Sequence, residues 1–167
     1  MAIDMQIRYL TVNDIQAMWE INEQGLPGTG RVSPDEMKSL LDISELSIGI
    51  FENDSLRGFV ICLLPNTAYG SLNYAWFNQR YENFIYVDRI AVDEKYRNQG
   101  IGHKLYETVF EYAVKNNLPV AAEVSLRPQN LGSDRFHLRH GFSAIAEVDH
   151  GDKAVTMYIR NIMGSND

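Results

Sequence analysis

The sequence predicts an α/β (α+β) fold in which helices flank one mixed sheet, within a single domain spanning residues 1–167. Two observations predict this class. Apolar residues recur at helical spacing in some segments and form short strand-like runs in others. The two kinds of segment alternate along the chain, without an internal repeat or a composition shift that would mark a linker. With 167 residues, 45% of them hydrophobic, the chain can bury one core of ordinary size.

The first part of the chain is predicted to contain a strand, two helices and a hairpin. Thr11 is suited to cap the first helix, whose apolar side runs from Ile15 to Ile21. Ser33, followed by a proline and a glutamate, has the pattern of a capping box for the second helix. The glycine-rich segment 25–31 between these helices is expected to be a mobile loop. The predicted strands are residues 3–10, 47–51 and 58–64.

The rest of the chain is predicted to alternate strands with helices. Residues 65–83 are rich in aromatic side chains and have no clean period, which suggests a loop with a short helix. A long helix is expected to begin after Gly100 and to end near Asn116. A shorter helix is expected over 133–140, with Ser133 as its cap. The predicted strands are residues 84–92, 120–126, 142–148 and 154–159.

Composition excludes several classes of function. A net charge of −7 argues against nucleic acid as a partner, because binding to phosphates needs clustered Lys and Arg. Cys62 is the only cysteine, so the sequence offers neither an internal disulfide nor a cysteine-rich zinc site, and no metal is expected. The sequence has no signal-like N-terminus and no long apolar run. We therefore expect a cytoplasmic location, and we expect no membrane partner. The tail 164–167 is expected to be disordered.

The stretch Arg97–Gly102 lies between a predicted strand and a predicted helix, and it has the spacing Arg-x-x-Gly-x-Gly. Its glycines let the backbone approach an anion closely, and the amides that open the helix have no intrahelical partner. Arg97 adds a cation whose shape suits a phosphate. The same pattern also fits a tight strand-to-helix turn with a surface arginine. Taken alone, the loop therefore predicts either a phosphate cradle or a turn.

A second cluster, Asn130–Phe142, follows a strand and carries Asn-x-x-Ser-x-x-Phe and a Gly-Phe pair. With the Arg97–Gly102 loop before it, this order of motifs resembles the GNAT superfamily of acyl-CoA-dependent N-acetyltransferases. Ile7–Thr11 is similar to the first strand and helix start of that family. Tyr86–Ile90 together with Asn130–His137 resembles a bacterial group of predicted acetyltransferases of undefined substrate. The resemblance implies a mostly antiparallel sheet whose two central strands splay apart and leave a slot for a thioester.

The resemblance also implies acetyl-CoA or coenzyme A as the cofactor. The amides of the Arg97–Gly102 loop would hold its pyrophosphate, and the strand edge at 90–92 would pair with the pantetheine arm. Asn130 would hydrogen-bond that arm, and Phe136 would pack against it. The expected cofactor-binding residues are Ile90, Ala91, Val92, Arg97, Asn98, Gln99, Gly100, Ile101, Gly102, Asn130, Ser133, Phe136 and His137.

The sequence departs from the family pattern at His137. The family commonly has a tyrosine at this position, where it protonates the departing thiolate of CoA. A thiol has a pKa near 8.5, so an imidazolium is acidic enough to replace the tyrosine. His137 is therefore a candidate general acid, and a structural histidine on the helix is the alternative.

Two carboxylates are candidates for the general base. An amine attacks a thioester only in its neutral form, so a group that removes its proton is needed. Glu123 and Asp88 each lie among apolar residues of a predicted strand, where an acidic side chain needs a reason. The alternatives are structural: Asp88 would pair with Arg89 or Arg127, and Glu123 would pair with Arg89.

The acceptor site is predicted from polar and aromatic residues outside the cofactor motifs. The aromatic segment 74–81 would form a wall of the pocket, with burial of these rings against the sheet as the alternative. Arg80 and Arg89 would suit a carboxylate on the acceptor, as in an amino acid. The expected substrate-binding residues are Asn22, Ser33, Tyr74, Trp76, Arg80, Asp88, Arg89 and Glu123.

The sequence therefore favours an enzyme that transfers an acetyl group from acetyl-CoA to a primary amine of a small molecule, by direct attack on the thioester. A small acceptor is favoured because the insertion 69–83 would narrow the slot, and an amino acid or a related metabolite is one acceptor that Arg80 and Arg89 would suit. One alternative is a non-catalytic acyl-CoA-binding or regulatory domain, which the departure at His137 would favour. The other is a protein N-terminal or lysine acetyltransferase. Either a monomer or a homodimer is compatible with the sequence.

Overall fold

A computed structural model describes residues 5–162, and this part of the chain contains seven strands and five α-helices. The strands are β1 (Met5–Tyr9), β2 (Leu46–Glu52), β3 (Ser55–Leu63), β4 (Ile85–Val92), β5 (Val120–Arg127), β6 (Ser143–Asp149) and β7 (Ala154–Arg160). The helices are α1 (Ile15–Gln24), α2 (Pro34–Ile43), α3 (Leu72–Arg80), α4 (Ile101–Asn116) and α5 (Leu131–Arg139). None of these helices is long and apolar enough to cross a membrane.

The strands form one seven-stranded sheet in the hydrogen-bonded order β1-β2-β3-β4-β5-β7-β6. The pairs β1–β2, β2–β3, β5–β7 and β6–β7 are antiparallel. Strands β4 and β5 are parallel, with Ile85 opposite Val120 and Tyr86 opposite Ala121. A mixed, mostly antiparallel sheet with helices confirms the predicted fold class.

The chain divides into two compact units. The first contains the residues up to 63 together with 87–109, and the second contains 64–86 together with the residues from 110 onward. Helices α1 and α2 and the hairpin β2–β3 belong to the first unit, whose core is mostly aliphatic and also contains Phe51, Phe59 and Tyr106. Its fully buried side chains include Met18, Met37, Ile50, Phe59, Ile61 and Leu63.

The core of the second unit is aromatic. The rings of Tyr74 and Phe77, both on α3, lie 5.1 Å and 5.8 Å from the ring of Tyr86 on β4. Phe84 packs against Phe77 at 6.0 Å and is fully buried. The aromatic residues of segment 65–83 therefore supply core packing for this unit, through a helix at the place where a short one was predicted.

Local signals in the sequence account for most element boundaries. Ser33 accepts a hydrogen bond from the backbone in a reciprocal capping box at the start of α2, as predicted. Thr11 also forms a capping box, but it caps the 3₁₀ turn Val12–Asp14 that precedes α1. Asn53 and Asp54 have φ of 51° and 64°, which makes the tight turn of the hairpin β2–β3. Asn117 has φ of 57° and ends α4 after Asn116.

One prediction of local structure needs correction. Ser133 is not a helix cap: α5 begins at Leu131, and Asn130 caps it by accepting a hydrogen bond from the backbone N–H of Ser133 at 3.2 Å. An asparagine oxygen is as good a cap as a serine oxygen, so the earlier residue starts the helix. In segment 25–31, the carbonyl of Gly30 accepts a hydrogen bond from the side-chain amide of Asn22 at 3.0 Å. The predicted disordered tail 164–167 lies outside the described residues.

Candidate active site

The loop Arg97–Gly102 opens α4 with exposed backbone. Asn98 and Gly100 have φ of 64° and 80°, and a Cβ placed on Gly100 would meet no atom within 4 Å. Residues 97–100 are exposed, whereas Ile101 is 1% exposed and fixes the start of the helix in the core of the first unit. The first amides of a helix of 16 residues have no intrahelical partner. The loop is therefore an exposed run of backbone at a helix N-terminus, a place that can take an anion.

Strand β4 leads directly into this loop. Ile90, Ala91 and Val92 are half-buried, unlike the fully buried first half of the strand. The carbonyl of Val92 accepts a hydrogen bond from Nε of Arg97 at 3.2 Å, which ties the loop arginine to the strand end. A Cβ on Gly58 of β3 would lie 2.8 Å from Ile101 and 3.1 Å from the carbonyl of Ala91. Glycine at this position thus permits the close packing that places α4 beside β4.

In the second unit, α5 carries the Asn130–His137 motif. The side-chain oxygen of Asn130 is occupied by its capping bond, while its amide donors have no partner within residues 5–162. Phe136 is half-buried, and its ring lies 4.4 Å from the ring of His140. Asn130 thus keeps a donor that is available for a ligand, which is compatible with its predicted contact to pantetheine.

His137 is 3% exposed and is held by its own helix. Its Nδ1 lies 2.8 Å from the carbonyl oxygen of Ser133, so Nδ1 carries the proton and donates it. Burial lowers the pKa of the imidazole. The ring is stacked on that of Tyr158 at 5.8 Å, and it meets Phe142 at 5.0 Å. The imidazole is buried, is neutral and donates to a carbonyl of its own helix. These features favour the structural alternative over a general acid.

Glu123 is bound by a tyrosine. The hydroxyl of Tyr86 lies 2.6 Å from Oε1 and 2.8 Å from Oε2 of Glu123, across 37 residues of chain. Tyr86 is fully buried and Glu123 is half-buried on β5. Glu123 is therefore a fixed carboxylate in the second unit, as a base on a rigid strand requires.

Asp88 is paired in the way that the structural alternative predicted. Its Oδ2 accepts from Nε of Arg89 at 2.6 Å, and the two side chains are 3% and 6% exposed. Nη1 of Arg89 also donates to Oδ1 of Asn22 and to the carbonyl of Gly30, both at 3.0 Å. Arg89 thus has a carboxylate partner within the chain. Asp88 and Arg89 stay predictions as substrate contacts, and the observed bond from Arg89 to Gly30 holds the loop 25–31 to β4.

The other predicted substrate residues divide into packed and exposed groups. Ser33 caps α2, and the hydroxyl of Tyr74 donates to the carbonyl of Leu64, so both serve the fold. Trp76 and Arg80 differ from them. The guanidinium of Arg80 is exposed and lies over the indole of Trp76, with 4.1 Å from Cζ to the ring centre. Of the two predicted arginines, Arg80 is the one that keeps its charge at the surface.

Sequence reasoning missed Tyr86 and Tyr158. The sequence predicts Tyr86 as a strand residue within the Tyr86–Ile90 run and gives it no role in the site, because no spacing rule pairs it with a residue 37 positions later. Tyr158 donates to Oδ1 of Asp134 at 2.7 Å, and burial and that carboxylate raise the pKa of Tyr158 to about 12. The available signal was the presence of each tyrosine in a predicted strand. Because a buried hydroxyl needs a polar partner, a tyrosine that points inward predicts such a partner without identifying it.

Comparison with known proteins places these features in a family. Residues 15–142 match the model of the acetyltransferase (GNAT) family. No curated protein matches the chain.

Solved structures show the same fold. The ribosomal-protein-S18-alanine N-acetyltransferase from Escherichia coli superposes with a TM-score of 0.75 at 18% identity, covering 98% of this chain and 97% of that one. Ard1 from Thermoplasma volcanium gives 0.75 at 19% identity, covering 95% and 98%. Arabidopsis thaliana NAA60 in complex with acetyl-CoA gives 0.74 at 17% identity, covering 95% and 100%. The shared architecture extends over nearly the whole of each chain.

Proposed function

The chain belongs to the acetyltransferase (GNAT) family, and from this premise we propose that it transfers an acetyl group from acetyl-CoA to a primary amine of a small molecule. The observation that carries the proposal is the exposed loop at Gly100, with its positive φ and open space, at the head of α4. An amine with a carboxylate, as in an amino acid or a related metabolite, is the favoured acceptor.

The residues present fit acetyl-CoA as the donor. In the first unit, the amides of Asn98–Gly102 would hold the pyrophosphate, and Arg97 would add a charge-assisted contact. The half-buried edge at Ile90–Val92 would pair with the pantetheine arm in the manner of an added strand. In the second unit, the amide donors of Asn130 would bind the same arm. When bound, acetyl-CoA supplies an acetyl group already activated as a thioester.

The contribution of the chain to the chemistry is to remove a proton from the acceptor. An amine with a pKa near 10 is almost wholly protonated at neutral pH, so a base must receive its proton before attack. Glu123 is the residue we assign to this task, directly or through a water molecule. Its support is the fixed carboxylate on β5, whereas the Asp88 carboxylate is committed to Arg89. Asp88 is therefore the weaker of the two predicted bases.

The small-molecule acceptor rests on the exposed stack of Trp76 and Arg80. Nη1 of this exposed guanidinium donates to the carbonyl of Trp76 at 3.1 Å, and the planar fork of an arginine suits a carboxylate. One similar structure, from Escherichia coli, is named as a ribosomal-protein-S18-alanine N-acetyltransferase, and that name gives a protein as the acceptor. Protein N-termini are therefore the acceptor class against which the proposal must be tested.

The test is turnover with matched acceptors. Free amino acids, their decarboxylated amines and short peptides with free N-termini would be supplied with acetyl-CoA, and the release of CoA would be followed with mass analysis of the acceptor. We expect acetylation of amino acids above that of peptides. Turnover confined to peptides would replace the small-molecule acceptor by a protein terminus. Binding of CoA without turnover of any amine would favour a non-catalytic acyl-CoA-binding domain.

A further inference from the structure

One hydroxyl serves both oxygens of the Glu123 carboxylate. The hydroxyl of Tyr86 lies 2.6 Å from Oε1 and 2.8 Å from Oε2 of Glu123. A single hydroxyl hydrogen directed between two carboxylate oxygens fixes the plane of the carboxylate. A hydrogen bond of this length to an ionised oxygen is of the strong, charge-assisted kind.

The tyrosine itself is held rigidly. Tyr86 is fully buried, and the centre of its ring lies 5.1 Å from that of Tyr74 and 5.8 Å from that of Phe77. Its backbone is opposite Ala121 in the parallel β4–β5 register, two residues before Glu123. The strand pairing and the aromatic core thus place the hydroxyl before any ligand binds, as a preorganised site requires.

We propose that Tyr86 is a positioning residue that holds the Glu123 carboxylate ionised and oriented to receive the proton of the acceptor amine. This inference rests on the proposed function, because it needs Glu123 to be the base. Tyr86 keeps its own proton throughout, so its part is to donate a hydrogen bond to the ionised form. On the other side of β5, the residue opposite Glu123 is Met157 of β7, which has no titratable group.

The donated bond has a measurable consequence. A hydrogen bond to the ionised form of a carboxylate lowers its pKa, so loss of the bond raises the pKa of the base. Activity that depends on the ionised base then falls at low pH and returns at high pH. A tyrosine that only filled the core would lower activity equally at every pH.

The experiment compares Tyr86→Phe with Tyr158→Phe. Both changes remove a buried tyrosine hydroxyl that donates to a carboxylate in the second unit, but only the first donates to Glu123. For Tyr86→Phe we expect the acid limb of the kcat/KM profile to move upward by about one to two pH units, with CoA affinity within twofold of wild type. For Tyr158→Phe we expect the acid limb to stay in place.

Further variants keep the outcome decisive. If Tyr86→Phe folds poorly, incorporation of a fluorinated tyrosine at position 86, a stronger donor of the same shape, should move the acid limb downward. In a Glu123→Gln background, Tyr86→Phe should cause little additional loss, since its effect passes through Glu123. If the acid limb is unchanged in both position-86 variants while Glu123→Gln is inactive, the role of Tyr86 is overturned and the assignment of Glu123 as the base is kept. Full activity of Glu123→Gln would instead overturn the base assignment of the proposed function.

Discussion

Arg89 donates from Nη1 to the side-chain oxygen of Asn22 at 3.0 Å, and the two residues are 67 positions apart in the chain. The amide of Asn22 in turn donates to the carbonyl of Gly30, which also accepts from Arg89. Asn22 is fully buried and Arg89 is 7% exposed. The contact therefore joins the end of α1, the loop after it and strand β4 through two buried side chains that share the carbonyl of Gly30 as an acceptor.

Asn22→Ala should destabilise the protein, because it leaves a buried guanidinium nitrogen with one partner fewer. We expect a loss of about 1–3 kcal/mol in the free energy of unfolding, measured by urea denaturation. Lys38→Ala is the control, since it removes an exposed ion pair with Asp42 and should cost less than about 0.5 kcal/mol. Equal effects of the two changes would mean that the Arg89 network does not stabilise the fold.

Gly100→Ala should weaken CoA binding. Gly100 has φ of 80°, and a side chain in this left-handed region costs about 1–2 kcal/mol, so the loop would leave its conformation. We expect the Kd for CoA to rise about tenfold by calorimetry. Gly151→Ala is a matched control, with φ of 101° and open space around its Cβ, in the β6–β7 turn. If both variants bind CoA like the wild type, the loop does not hold the pyrophosphate.

His137 should make the protein less stable in acid. Its pKa in the folded state lies below 6.5 because of burial, whereas in the unfolded chain it is near 6.5. Below pH 6.5 the unfolded state therefore binds a proton that the folded state excludes, and stability falls as the pH drops toward the folded pKa. Above pH 6.5 this contribution is constant.

The measurement is the free energy of unfolding against pH for wild type and His137→Asn. The wild type should lose more stability than the variant between pH 6.5 and 5, at a rate of up to about 1.4 kcal/mol per pH unit. Parallel curves over this range would show that His137 titrates normally, and a general acid role would then regain support.

Arg80→Ala should discriminate among acceptors. If the exposed guanidinium binds a carboxylate, its loss should raise the KM for an amino acid by about tenfold with little change in kcat. The decarboxylated amine is the control acceptor and should keep its KM in the variant. An equal rise in KM for both acceptors would show that Arg80 does not bind the carboxylate of the acceptor.

The sequence was sufficient for elements whose signals are local. Caps at Thr11 and Ser33, a hairpin between β2 and β3, and a helix end near Asn116 are each predicted from a few neighbouring residues, and the structure contains all of them. The motif order from Arg97 to Phe142 was sufficient for the family, because its glycines and its asparagine stand at fixed places relative to strands and helices. The prediction of Ser133 as the cap is wrong because Asn130, three residues earlier, is also a good capping residue and starts the helix.

Long-range partners could not be predicted in the same way. Tyr86 and Glu123 meet because the parallel register of β4 and β5 sets Tyr86 opposite Ala121, and this register is absent from any local pattern. The partner of Arg89 likewise could not be predicted, because Asp88 and Glu123 were both candidates for it. The sequence left that partner open, and the structure gives it as Asp88 at 2.6 Å.

The measurement that tests the central claim most directly is acetyl transfer from acetyl-CoA to a free amino acid, in wild type and in Glu123→Gln. CoA release and the acetylated product would be quantified together, and CoA affinity would be measured for both proteins. We predict stoichiometric CoA and acetylated amine with the wild type, and a loss of at least about 100-fold in kcat with unchanged CoA affinity in the variant. No product from any amine with the wild type, despite tight CoA binding, would contradict the account.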